Sequence, residues 1–294
     1  MRQGLLATQA ALVLAAALAA SPAMAQETAP AAPAIAAADW RVVPADNLLV
    51  IDTSKGRILV EMAPEVAPGH VARIRMLAKA GFYDGVPWHR VIDGFMAQTG
   101  DPLGTGEGQS WHPDLKAEFT FRRDAQTPFT AVAAPAGAQV GFLHSLPVQT
   151  QPDAVMATTA DRKVHAWGLY CPGVAGMARD DAPDSANSQF FLMRHPYPAL
   201  EKRYTVWGSV VSGLDVVRAL KFSPNPDGIV SEPDRMTRVR VAGDLPVAER
   251  PTVRVLNTTS AAFRTLADGV RAARGADFSA CDIALPVEVD APGA

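Results

Sequence analysis

The chain has 294 residues, of which 48% are hydrophobic and 19% charged, so it can bury a sizeable core and does not have the composition of a disordered polymer. A formal net charge of −3 gives no electrostatic footprint for nucleic acid or for an acidic membrane surface. The six histidines show no paired spacing, so no metal site and no cofactor are expected.

Arg2 is the only charge before Glu27, and the apolar run 10–20 leads into Ser21-Pro22-Ala23-Met24-Ala25, an Ala-x-Ala cleavage pattern. Residues 1–25 therefore read as a cleaved signal peptide, and the mature protein as periplasmic or secreted. The run is short and Ala-rich against the roughly 20 residues that span a bilayer. No later segment is longer or more apolar, so no membrane span is expected after cleavage. Loss of Arg2 with the leader leaves 26 basic against 30 acidic residues, a net charge of −4. Residues 26–38 (QETAPAAPAIAAA) form an Ala/Pro-rich tether. In an oxidising compartment Cys171 and Cys281 can make one disulfide; two separate buried thiols are the competing reading.

The folded part is expected from about Trp40. Residues 47–62 read as two strands around Thr53-Ser54-Lys55-Gly56, a hairpin signal. In 67–80, Val71, Ile74, Leu77 and Ala78 fall on one helical face that Gly81 ends. Residues 86–99 alternate around Asp93-Gly94 as two strands, and 100–109 is a Gly-rich loop. Residues 125–170 carry four prolines and weak periodicity, with short strands expected at 141–146 and 166–170. Apolar runs at 174–178, 189–193 and 204–211 read as buried strands, 214–220 as a short helix and 238–241 as a closing strand. A strand at 253–256, a helix at 261–274 and the segment 278–289 give the tail its own α and β pattern. The pattern is mainly β, a barrel with a helix plugging each opening.

The stretch Trp88-His89-Arg90-Val91-Ile92-Asp93-Gly94-Phe95-Met96-Ala97-Gln98-Thr99-Gly100-Asp101-Pro102 resembles the signature block of the cyclophilins. The resemblance continues in family order through Gly104-Thr105-Gly106-Glu107-Gly108, Glu118-Phe119, Gly176-Met177-Ala178 (the family's Ser-Met-Ala), 185–192, 200–208 and 211–217. It covers about residues 48–242. It implies an eight-stranded antiparallel β-barrel capped by two helices, with a long insertion at about 122–172 inside an isomerase domain of 39–244. A small α/β C-terminal extension, 245–294, is expected to pack on that domain.

What the resemblance implies for function is peptidyl-prolyl cis/trans isomerisation of proline-containing polypeptides. Arg90 would donate hydrogen bonds to the twisted amide, with Gln98 and Gln189 holding Arg90 and the substrate backbone. Phe95, Met96, Phe191 and Leu200 would form the proline pocket, with Tyr204 where the family has His, and Ala178 and Arg179 would line the substrate. His89 reads as a structural hydrogen-bonder, and Phe190 and Trp207 as plain core. Arg179 stands where Asn is common and could add a second positive group. Ala199 replaces a frequent Trp, which implies weak cyclosporin binding. Between Phe119 and Met177 lie 57 residues where the family has a short link. Insertion and tail are expected to pack together, stapled by Cys171–Cys281, in a chain expected to be monomeric. The competing function is a non-catalytic module that binds proline-containing segments in the same groove.

Overall fold

The computed structural model describes residues 35–290. The expected signal peptide, and the tether up to residue 34, lie outside the described residues. In chain order the strands are β1 (Trp40–Val42), β2 (Leu48–Thr53), β3 (Gly56–Met62), β4 (Arg90–Ile92), β5 (Met96–Thr99), β6 (Phe121–Arg123), β7 (Phe129–Ala133), β8 (Gln139–Leu143), β9 (Leu146–Thr150), β10 (Val164–Gly168), β11 (Val174–Met177), β12 (Phe190–Met193), β13 (Val206–Ser212), β14 (Met236–Val241), β15 (Thr252–Leu256) and β16 (Val287–Asp290). The helices are α1 (Pro68–Lys79), α2 (Leu214–Ala219) and α3 (Ala261–Arg274).

Eight strands form one antiparallel curled sheet in the order β14-β2-β3-β13-β11-β12-β5-β4. Its two edges meet through the segments around residues 85–91 and 228–236. The Gly85 N–H donates to the Met236 carbonyl, Trp88 to Asp234, and Val91 to Gly228. Helix α1 starts at a proline, which costs no helical hydrogen bond there. Its free first-turn donors go to Glu118, whose carboxylate accepts from the Gly69 and His70 N–H groups at 3.0 and 3.1 Å. Val71, Ile74 and Leu77 of α1 and Val217 of α2 enter the barrel core.

The apolar runs of β2, β3 and β12 bury both faces, as continuous rather than alternating patterns require. Leu49 and Ile51 enter the barrel core, where Phe190 meets Tyr83, Trp88 and Trp207 edge to face. Leu48, Val50 and Leu59 face outward under Val253 and Val255 of β15. Phe190 and Leu192 of β12 point into the barrel, whereas Phe191 and Met193 point out into a second core.

That second core belongs to the insertion and the tail. The insertion is a five-stranded sheet, β6-β10-β9-β8-β7. Its Phe142 meets Phe263 of α3 at 5.5 Å, within the same apolar cluster as Phe121, Tyr170 and Ile283. Where one strand is expected over 141–146, the chain turns between β8 and β9 at His144, with φ +54°. No glycine marks that turn. The third sheet, β1-β15-β16, joins residues 40–42 to the tail rather than to the barrel, and Ile35 already packs on the second core. Cys171, just before β11, is bonded to Cys281 of the tail with an S–S distance of 2.00 Å. No helix among the described residues is long and apolar enough to cross a membrane.

Candidate active site

The hairpin β4–β5 turns at Asp93-Gly94 and sets Arg90 opposite Gln98. Gln98 in turn faces Phe191 on β12, and Phe191 faces Gly176 on β11. Strand pairing alone therefore lays Arg90, Gln98 and Phe191 in one row on the outer face of the barrel. His89 lies off this row, buried beside the Pro87 backbone, in keeping with a structural role rather than one in the site. Burial holds its pKa below the usual value.

The polar side of the row is a relay of fixed amides. Arg90 Nε donates to the Asp227 carbonyl at 2.8 Å and Nη1 to Gln98 Oε1 at 3.2 Å. Gln98 Nε2 donates to Gln189 Oε1 at 2.9 Å, and Gln189 Nε2 to the carbonyls of Gly106 and Gly108 at 2.8 and 2.9 Å. Each amide orientation follows from its neighbours. Partial burial lowers the Arg90 pKa, against the opposing pull of Tyr204 and Asp227, yet a guanidinium so shifted is still charged at neutral pH. The loop that receives Gln189 is itself wound around Asp101, whose carboxylate accepts from the N–H groups of Leu103, Thr105 and Gly106 at 2.6–2.8 Å. Burial alone would push the Asp101 carboxyl up, but four backbone donors outweigh it and hold it below the ordinary range. A Cβ at Gly108 would come within 1.8 Å of Asp101 Oδ1, so only glycine closes this loop.

The apolar side is built in two depths. Met96 and Phe191 are nearly fully buried and form the floor; Phe95, Leu200 and Tyr204 are partly buried around them. Tyr204 meets Phe191 edge to face at 6.1 Å, and Tyr197 covers Phe95 at 4.5 Å. Beneath the floor Tyr170 stacks on Phe191 at 5.9 Å. Gly176 makes room for it: a Cβ there would lie 2.5 Å from the Phe191 ring and 3.0 Å from that of Tyr170.

Ala178 and Arg179 stand beside a cavity of about 220 Å³ shared with Gln98, Gln109, Asn187 and Gln189. The Arg179 guanidinium lies over the Tyr204 ring at 4.4 Å and donates to the carbonyls of Arg203 and Asp180. It thus rests on the aromatic wall with its donors largely engaged by backbone. Ala199 is exposed.

All the site residues expected from the sequence except the cysteines line this one face. The Cys171–Cys281 bond lies behind it, in the second core. Sequence reasoning missed the Asp227 carbonyl, which carries no side-chain signal, and Tyr170 and Tyr197, which flank the pocket from outside the resembling blocks.

The comparisons with known proteins agree with this geometry. The profile of the family described as cyclophilin type peptidyl-prolyl cis-trans isomerase/CLD matches residues 48–241. A probable peptidyl-prolyl cis-trans isomerase of Brucella suis is 34% identical over 211 residues, spanning 68% of this chain and 84% of that protein. Peptidyl-prolyl cis-trans isomerase B of Bacillus subtilis is 32% identical over 187 residues, or 64% of this chain and 92% of that protein. The crystal structure of cyclophilin AquaCyp293 from Hirschia baltica superposes with a TM-score of 0.79 at 33% identity, covering 87% of this chain and 95% of its own. That overlap is longer than the family match, so it takes in segments flanking the barrel. On the barrel, the ordered motifs and these likenesses together, the chain belongs to the cyclophilin-type peptidyl-prolyl cis-trans isomerases.

Proposed function

We propose that Arg90 drives the isomerisation by donating hydrogen bonds to an X-Pro amide as it twists, and that the clients are proline-containing polypeptides folding in a periplasm or outside the cell. A planar peptide bond resists rotation by about 18–20 kcal/mol because twisting breaks its resonance. At the midpoint the proline nitrogen regains a lone pair while the carbonyl oxygen keeps its dipole. Such a reaction calls for a fixed donor that fits the twisted amide better than the planar one, with no nucleophile.

The observation that carries this reading is the Arg90–Gln98–Gln189 relay in register with Phe191. A guanidinium has five N–H donors. Asp227 and Gln98 take two of those on Arg90, one on Nε and one on Nη1, which leaves donors for the substrate on an already oriented fork. The apolar floor of Met96 and Phe191 receives the proline ring, and the water it displaces would otherwise weaken the guanidinium's field. Arg90 and Gln98 are assigned to catalysis; Phe95, Met96, Ala178, Arg179, Gln189, Phe191, Leu200 and Tyr204 to binding. The small, exposed Ala199 supports weak cyclosporin binding.

A prolyl cis/trans assay on a short X-Pro peptide, with protein starting at Gln26, tests this. Arg90→Ala is expected to lose about 10²–10³-fold in kcat/KM with its fold intact, the scale for removing one such donor. Normal turnover by that variant would sink the donor role. The compartment rests on the Ala23-Met24-Ala25 pattern. Mass analysis of the protein from its native host should find Gln26 as the first residue of an exported form; an intact Met1 in the cytoplasm would refute export.

A further inference from the structure

We propose that the insertion and the tail extend the substrate groove into a second, apolar subsite, which holds a stretch of the client chain lying beyond the prolyl residue on the Leu200 side. This deepens the reading above and rests on it. A cavity of about 490 Å³ opens between the insertion sheet, the tail and the 196–201 segment, with Val140, Leu169, Tyr170, Pro198 and Phe278 on its walls. Its volume gives room for two or three side chains of an extended peptide.

Continuity with the proline pocket identifies the occupant. Tyr170 belongs to both sites: its ring stacks on Phe191 of the pocket floor, and it lines the new cavity. Its carbonyl accepts from the N–H of Tyr197, the residue that covers Phe95. Glu201 follows Leu200 directly and lines the cavity. A client leaving the proline pocket past Leu200 and Tyr197 therefore crosses the 196–201 segment, whose Pro196, Pro198 and Glu201 form one wall of this concavity. Its lining is mainly apolar, with Gln149, Glu201 and Ser279 as the polar side chains. Trp167 Nε1 donates to one Glu201 oxygen at 3.3 Å, which leaves the other to accept from a peptide N–H or a basic side chain. The preferred client is an extended, apolar segment with a donor near its proline, the chemistry of an unfolded chain.

The test compares an X-Pro tetrapeptide with a twelve-residue peptide of the same X-Pro core, flanked by Leu and Phe and carrying a fluorophore. The long peptide is expected to bind about tenfold more tightly by anisotropy, the gain of one apolar side chain seated in a pocket. Serines in place of the Leu and Phe should remove that gain. Ala134→Trp, an exposed rim position, should also remove it while leaving tetrapeptide turnover unchanged. Gln149→Trp serves as a second filling variant. Equal affinity for the long and short peptides, or a gain that survives both variants, would overturn the subsite. Binding is read without turnover, so a failure of Arg90→Ala to slow the tetrapeptide would strike the donor role and leave this measurement standing.

Discussion

The barrel and the added region differ in how they are held together. The barrel is one hydrogen-bonded sheet, in which hairpins such as β2–β3 and β4–β5 are joined to distant strands such as β14 and β13, around one aromatic-rich core. The added region gathers three distant pieces, β1, the insertion and the tail, through a shared apolar cluster and one disulfide. Yet they meet at the face that carries Arg90 and Gln98, since Met96 and Phe191 belong to the cluster of the added region. Chemistry is displayed by the barrel and backed by the addition. A two-part description thus holds for topology and fails for the pocket.

The largest test separates the two regions. Cys171 and Cys281 close a loop of 110 residues, for which chain entropy gives about 5 kcal/mol of stabilisation. The double variant to alanine should lose most of that in urea unfolding. One transition with an unchanged slope would mean that the shared cluster welds the regions into a unit; two transitions would restore the two-part picture. Next in size is Gln98→Leu, which frees Arg90 Nη1 and Gln189 from their partner. A loss of about tenfold in kcat/KM is expected for one oriented hydrogen bond, at about 1.4 kcal/mol. Unchanged turnover would show that Asp227 alone orients Arg90.

Tyr170→Phe probes the seam itself. Its hydroxyl is buried with no partner among the described residues, and burial raises its pKa well above the ordinary value. Removing it should be neutral or stabilise by up to about 1 kcal/mol; a clear destabilisation would reveal a hydrogen bond there. The smallest effect concerns the barrel alone. The pKa of His89 is lowered by burial from 6.5, so below about pH 6.5 the unfolded chain binds the proton that the folded one refuses. Stability should therefore fall as pH drops through that range, well before the carboxylates of Asp101 and Glu118 protonate. His89→Phe should flatten that part of the urea-midpoint profile; an identical slope would assign it to another histidine.

The barrel was legible because its strands carry turn markers and its signature residues are side chains. Lys55-Gly56 and Asp93-Gly94 announce hairpins, and Arg90 to Asp101 announce the site. The insertion hid its sheet behind prolines and a glycine-free turn at His144, where tertiary packing imposes the positive φ. The pairing of β1 with β15 left no local trace, because short edge strands are chosen by partners far away in sequence. Asp227 was invisible for a different reason: any residue there would offer the same carbonyl.

The register of β1 and β15 also carries a consequence in time. Arg41 pairs with Val255, so the strand that leads the described chain waits 214 residues for its partner. Hairpins such as β2–β3 can close on local contacts and the barrel is complete once β14 pairs with β2, whereas this sheet also needs β15 and β16 beyond it. The cover over Leu48 and Val50, and the tail's share of the apolar cluster that holds Phe191, are then the last parts to seal. Pulse-labelled hydrogen exchange during refolding should protect β2, β3 and β12 ahead of β1 and β15; simultaneous protection would mean that the enzyme matures in one step.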